Sequence, residues 1–166
     1  MAKQIRVLIV DDLSDWRKTL AGLLSKEGYI PETTATMRDA LILSAQKQFD
    51  VAILDIRLDE TDENNIEGLE LAEKIKHQWP NVAIIMLTGY DTSEVVRQAL
   101  EPNARGQTLA VDLISKTEVE ALLSVMDRLL DAGKHIPTFE PTQECEIAVS
   151  LEPSVSIIVR HFPPIN

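Results

Sequence analysis

Short β-branched runs alternate with segments of helical period over residues 1–131, the pattern of an α/β fold built from βαβ units around a mostly parallel sheet. The five runs are Ile5–Val10, Tyr29–Thr34, Val51–Leu54, Val82–Leu87 and Leu109–Ile114. Those beginning at residues 5, 51 and 82 are almost wholly apolar, as expected of central strands covered by helices on both faces. Pro31 in the second run lacks a ladder donor and predicts an edge strand. Helices are expected between the runs, over Ser14–Glu27, Thr36–Lys47, Ile66–Gln78, Thr92–Glu101 and Thr117–Asp131, with Ser14 as N-cap of the first and Gly28 as its stop. In the fifth, Val119, Leu122, Leu123, Met126, Leu129 and Leu130 form one apolar stripe, which reads as core.

After Asp131 the pattern changes. Gly133, Pro137 and Pro141 punctuate a linker, and Glu146–Leu151 and Val155–His161 read as two strands around Glu152-Pro153-Ser154. Residues 132–166 are therefore expected to be a linker with a β-hairpin extension, or the start of an output domain. An isolated hairpin is marginal in water, so this one should pack on the main domain, pair with another chain or belong to something larger. A homodimer is one such arrangement.

Composition removes whole classes of function. Sixteen Lys plus Arg against 27 Asp plus Glu give a net charge of −11, without the clustered base needed to neutralise phosphates, so direct nucleic-acid binding by this chain is not expected. The start, MAKQIRVLIVDD, meets paired acids too soon for a signal peptide, and no apolar stretch approaches the roughly 20 residues of a membrane span. The expected address is the cytoplasm, with no membrane attachment. Cys145 has no partner for a disulfide, and with His77, His135 and His161 it offers no zinc-ligand spacing.

In an open parallel sheet, ligands bind beyond the carboxyl ends of the strands, near the point where strand order reverses. The residues that end the runs are Asp11 and Asp12, Asp55, Thr88 and Lys116. Three carboxylates packed together repel, so either they take up protons or a cation sits among them. A hard divalent ion such as Mg2+, which prefers oxygen ligands and often works with a phosphate, answers that need. Lys116 would pair with a second anion as a point charge. The set reads as a phosphoryl site in which Asp55, ending a middle strand, is the nucleophile and Thr88 a hydrogen-bond donor.

The same residues resemble the receiver domain of two-component response regulators: VLIVDD with Asp11 and Asp12, VAILD ending at Asp55, IIMLTG with Thr88, and DLISK with Lys116. The resemblance implies a flavodoxin-like, doubly wound five-stranded parallel sheet of order 2-1-3-4-5 with five helices. It implies that Asp55 accepts a phosphoryl group from a histidine kinase or phosphotransfer protein. It further implies that Asp12, Asp55 and the backbone carbonyl of Arg57 bind Mg2+, with Asp11 acting largely through water, and that Thr88 and Lys116 contact the phosphoryl group. Phosphorylation would then bias a two-state equilibrium of the face formed by the fourth and fifth helices, changing contacts with a downstream protein. Arg57 and Tyr90 fill positions that tune dephosphorylation in that family.

Departures from the pattern are specific. Leu113 stands where an aromatic rotamer switch is usual, and Thr117 replaces the proline that commonly follows the lysine, so a trans bond is expected after Lys116. The stretch from Asp55 to Gly68 is longer than usual, and residues 59–70 carry Asp59, Glu60, Asp62, Glu63, Glu67 and Glu70 with no base. Trp16 reads as a partly buried packing residue near the site. A phosphatase of the haloacid-dehalogenase type would need a second acid two residues after the nucleophile, where Arg57 stands, and neither GxGxxG nor GxxxxGK[ST] is present for a nucleotide enzyme. The expectation is a switch and not a turnover enzyme. The rival is a receiver-like interaction module that works without phosphorylation.

Overall fold

A computed structural model of the 166-residue chain describes residues 4–59, 61, 62, 64–89, 99–102, 104, 106–133, 149, 150, 156 and 157. The chain divides into two compact units, Met1–Ala132 and Gly133–Asn166.

The first unit contains a five-stranded parallel sheet of β1 (Arg6–Val10), β2 (Ile30–Thr34), β3 (Val51–Asp55), β4 (Ala83–Thr88) and β5 (Asp112–Ser115), in the order β2-β1-β3-β4-β5. This is the flavodoxin-like order. The apolar runs occupy the middle three positions, and β3 is buried along its whole length. β2, with Pro31 opposite Val7, lies at the edge. Alternate side chains of the central strands enter opposite core layers, as the period of a strand demands. Leu8, Val10, Ala52, Leu54, Ile84 and Met86 build one layer, and Val7, Ile9, Val51, Ile53, Ile85 and Leu87 the other.

Four α-helices flank the sheet among the described residues: α1 (Ser14–Lys26), α2 (Met37–Gln46), α3 (Glu67–Gln78) and α4 (Glu120–Gly133). Among the described residues that is one fewer than the five expected. The helix read over Thr92–Glu101 falls mostly outside the described residues, of which Ala99 and Leu100 are helical. A 3-10 turn, Lys116–Glu118, occupies the place where the last helix was expected to begin. Of its apolar stripe, Leu122 and Met126 are buried, Val119, Leu123 and Leu129 pack against them as read, and Val125 joins the buried set; the reading of Leu130 lies outside the described side chains.

Two local details differ from the sequence reading. Leu13, not Ser14, stands at the N-cap of α1, with no side-chain cap. β5 begins at Asp112, three residues later than expected at Leu109, because the Ala110 N–H is spent on the Ala99 carbonyl at 3.0 Å. Gly28 does stop α1, at φ 87°, in the left-handed region that glycine adopts without a Cβ penalty.

In the second unit, Val149–Ser150 pairs antiparallel with Ser156–Ile157, with Val149 opposite Ile157. The remainder of the hairpin reading lies outside the described residues. Among those residues, no helix is long and apolar enough to cross a membrane.

Candidate functional site

Strand order brings the carboxyl ends of β1, β3 and β4 side by side, and between β1 and β3 the order reverses. Asp11 and Asp12 follow β1, Asp55 is the last residue of β3 and Thr88 the last of β4. Lys116 follows β5 directly. Asp11, Asp55 and Thr88 are 0%, 5% and 4% exposed, so their polar groups must find partners within the protein or in a ligand. One carboxylate oxygen from each of Asp11, Asp12 and Asp55 lies within 4.8 Å of the others, a group able to hold a metal ion.

Lys116 brings a positive charge into this cluster. Its Nζ donates to Asp55 Oδ2 at 2.7 Å and lies 2.8 Å from Asp11 Oδ2. The second contact is an ion pair. Burial opposes the ammonium's charge, but the two carboxylates beside it outweigh that cost and hold its pKa above the ordinary lysine value. The Trp16 ring adds to this hold, with its centroid 5.6 Å from Nζ, within cation-π range.

Asp55 is pushed from 3.8 to about 6, foremost because burial penalises its charge. Lys116 and a hydrogen bond from the Arg57 backbone N–H counter the shift, while the charge of Asp11 adds to it. The carboxylate is thus ionised at neutral pH but held there at a cost. That is the condition in which a multivalent cation is welcome.

The backbone beneath the site is close-packed. The Gly68 N–H, at the start of α3, donates to the Ile56 carbonyl at 3.0 Å. A Cβ at Gly68 would lie 1.8 Å from the Asp55 carbonyl oxygen and 2.8 Å from that of Ile56, so only glycine lets α3 pass under β3 at this point. On the other side, the Asp11 Oδ1 accepts from the Leu13 N–H at 2.9 Å, which does for the entry of α1 what a capping side chain would do. The Arg17 Nη1 donates to the carbonyls of Asp11 and Asp12, at 2.6 and 2.9 Å.

The structure brings together Asp11, Asp12, Asp55 and Lys116. It sets Thr88 at the end of the neighbouring strand and Arg57 two residues past Asp55, its N–H on that carboxylate. Sequence reasoning passed over Gly68 and Arg17, and gave Trp16 only a packing role. Trp16 does pack on the core, and it also overlies Lys116. The acidic stretch after Asp55 is largely self-satisfied in its described part: Asp59 accepts from Thr61 N–H and Oγ1, and Asp62 from Asn64 N–H, in Asx-type turns. Leu113 lies in β5, and there is no cis peptide bond among the described residues, in line with Thr117 after Lys116.

Known proteins place this arrangement. An NtrX-like response regulator of Rickettsia bellii is 36% identical over 100 residues, which make up 60% of this chain and 20% of that protein. The chain thus spans about a fifth of the length of that curated relative. A CheY-like response regulator receiver domain protein from Methanospirillum hungatei superposes with a TM-score of 0.66 at 30% identity, covering 80% of this chain and 98% of that one. The response regulator TrrA of Thermotoga maritima, solved with Mg(2+)-BeF, gives a TM-score of 0.61 at 27% identity over 76% of this chain and 99% of its own. The family pattern described as response regulator receiver domain matches residues 7–125, the stretch that holds the acid cluster and Lys116. With sheet order, site geometry and family match agreeing, the chain belongs to the response regulator receiver domain family.

Proposed function

We propose that this receiver accepts a phosphoryl group on Asp55, from a histidine kinase or phosphotransfer protein, and thereby switches its contacts with a downstream protein. The observation that carries the reading is the buried Asp55 carboxylate, within 4.8 Å of oxygens of two further aspartates and 2.7 Å from Lys116 Nζ. Residues 1–131 form the phospho-acceptor domain in this reading. Residues 132–166 are a linker with its hairpin, or the beginning of an output domain.

The donor set is all carboxylate and carbonyl oxygen, which suits Mg2+ and not a softer metal. Asp12, Asp55 and the Arg57 carbonyl would hold the ion, with Asp11 acting largely through water. When bound, it supplies positive charge against the phosphoryl oxygens. Asp55 attacks in its ionised form: its oxygen bonds to phosphorus as the bond to the donor's imidazole nitrogen breaks, and the imidazole leaves with the bonding pair. Lys116, already 2.7 Å from Asp55, pairs with a phosphoryl oxygen, and the Thr88 hydroxyl donates to another. The Mg(2+)-BeF complex of the TrrA regulator, a phosphoryl mimic on a similar fold, supports this use of the pocket.

Intact-mass measurement after incubation with acetyl phosphate and Mg2+ tests the proposal. Wild type gains one phosphoryl mass and Asp55→Asn gains none. No gain in wild type, or equal gain in the variant, defeats it. A pull-down with and without beryllofluoride then separates the switch from a docking module that ignores phosphorylation.

A further inference from the structure

We propose that Arg17 is a positioning residue for the metal-binding acids, presetting the loop after β1 before any cation arrives. The proposal rests on the phosphoryl-switch reading of the site and adds a residue to it. Arg17 lies in the first turn of α1, and one guanidinium nitrogen, Nη1, bridges two successive backbone carbonyls, 2.6 Å from that of Asp11 and 2.9 Å from that of Asp12.

Two adjacent aspartates at a strand end repel each other, and the loop that carries them has no ordinary cap. Leu13 is the N-cap and offers no side chain to the helix. Two contacts bear directly on the set of the acids: the Asp11 carboxylate takes the Leu13 N–H, and Arg17 takes the carbonyls behind both acids. The first aims Asp11 and the second fixes the peptide planes from which both carboxylates project. Guanidinium suits this task, since its nitrogens lie in a rigid plane. Its charge sits behind the carboxylates, at their backbone, while one oxygen of each acid faces the cluster with Asp55.

Outer partners that orient metal ligands are commonly worth 10- to 100-fold in metal affinity. Arg17→Met keeps the unbranched apolar stem of the side chain and removes both hydrogen bonds, and a Mg2+ affinity lowered at least tenfold is the expected result. Arg17→Lys retains one cationic donor on a flexible stem and should recover part of the loss.

The test is isothermal titration of Mg2+ into wild type, Arg17→Met and Arg17→Lys on the full 166-residue chain, with thermal unfolding of each in EDTA alongside. A positioning role gives weakened Mg2+ binding in Arg17→Met, partial recovery in Arg17→Lys, and metal-free melting curves that do not follow the affinities in order. Equal Mg2+ affinity in all three proteins overturns the inference while leaving the phosphoryl-switch reading intact. Melting temperatures that fall in step with affinity, with no recovery in Arg17→Lys, also overturn it, since Arg17 would then be only structural. No Mg2+ binding by wild type would strike the underlying reading of the site.

Discussion

Neutralising the phospho-acceptor is expected to stabilise the metal-free protein, and to do so only where the carboxylate would be charged. Asp55 moves from 3.8 to about 6 on folding, chiefly through burial. The native state therefore holds a proton that the unfolded chain releases across that window. Stability must fall as pH rises through it, because the native state then binds more protons than the unfolded one. Below 3.8 both states are protonated and Asp55 makes no difference; above about 6 the full penalty is in place. A shift of about two pH units corresponds to about 3 kcal/mol. Asn has the same shape and no charge, and Asp11 remains as a partner for Lys116. Asp55→Asn should therefore match wild type at about pH 4 and exceed it by about 3 kcal/mol at about pH 8. Urea unfolding in EDTA at pH steps between these limits measures the difference, in which titrations common to both proteins cancel. Added Mg2+ should close the gap by stabilising wild type more than the variant. A difference that is flat with pH, or wild type the more stable at pH 8, would refute the reasoning. The second outcome would mean that the attraction of Lys116 exceeds the cost of burying Asp55.

Further substitutions test the supports of the site. Gly68→Ala puts a methyl group 1.8 Å from the Asp55 carbonyl oxygen, so it should lower the melting temperature and weaken Mg2+ binding together. Gly22→Ala, on an exposed position of α1 with nothing within 4 Å of the new Cβ, should instead stabilise by about 0.5–1 kcal/mol. A melting temperature unchanged in the first, or lowered in the second, would contradict the packing described. Thr36 caps α2 by accepting from the Asp39 N–H at 3.1 Å, and Thr36→Ala should cost about 1 kcal/mol in urea unfolding without altering Mg2+ affinity. A change in affinity there would show that α2 is coupled to the site.

The central strands were legible because burial on both faces leaves an apolar run that no other element of that length produces. Their ends were legible for the complementary reason: Asp11, Asp55 and Thr88 are buried polar groups at the end of such runs, and a polar side chain there is costly unless something uses it. Where backbone hydrogen bonds decide, the sequence reading slipped. Leu109–Val111 looks like the start of β5, but the Ala110 N–H goes to Ala99, and nothing in those residue types announces that partner. Ser14 has the chemistry of an N-cap, yet the Asp11 carboxylate had already claimed the Leu13 N–H. Arg17 and Gly68 escaped notice because an arginine in the first turn of a helix, or a glycine at its start, has many ordinary uses. Their roles exist only once α1 and α3 are set against the ends of β1 and β3.

The charges of the site can thus be read locally, while the groups that aim them depend on tertiary contact, and this division bears on how the switch stores energy. Asp55 is held ionised against burial, and Lys116 with the Arg57 N–H offsets only part of that cost. The fold gives up stability to keep Asp55 charged, a cost that a bound cation can offset. Proton and cation therefore compete for one carboxylate, so Mg2+ affinity should rise steeply as pH passes through about 6 and level off above it. Titrations of Mg2+ at pH 5, 6, 7 and 8 would show this, and an affinity independent of pH would mean that Asp55 does not take part in holding the ion.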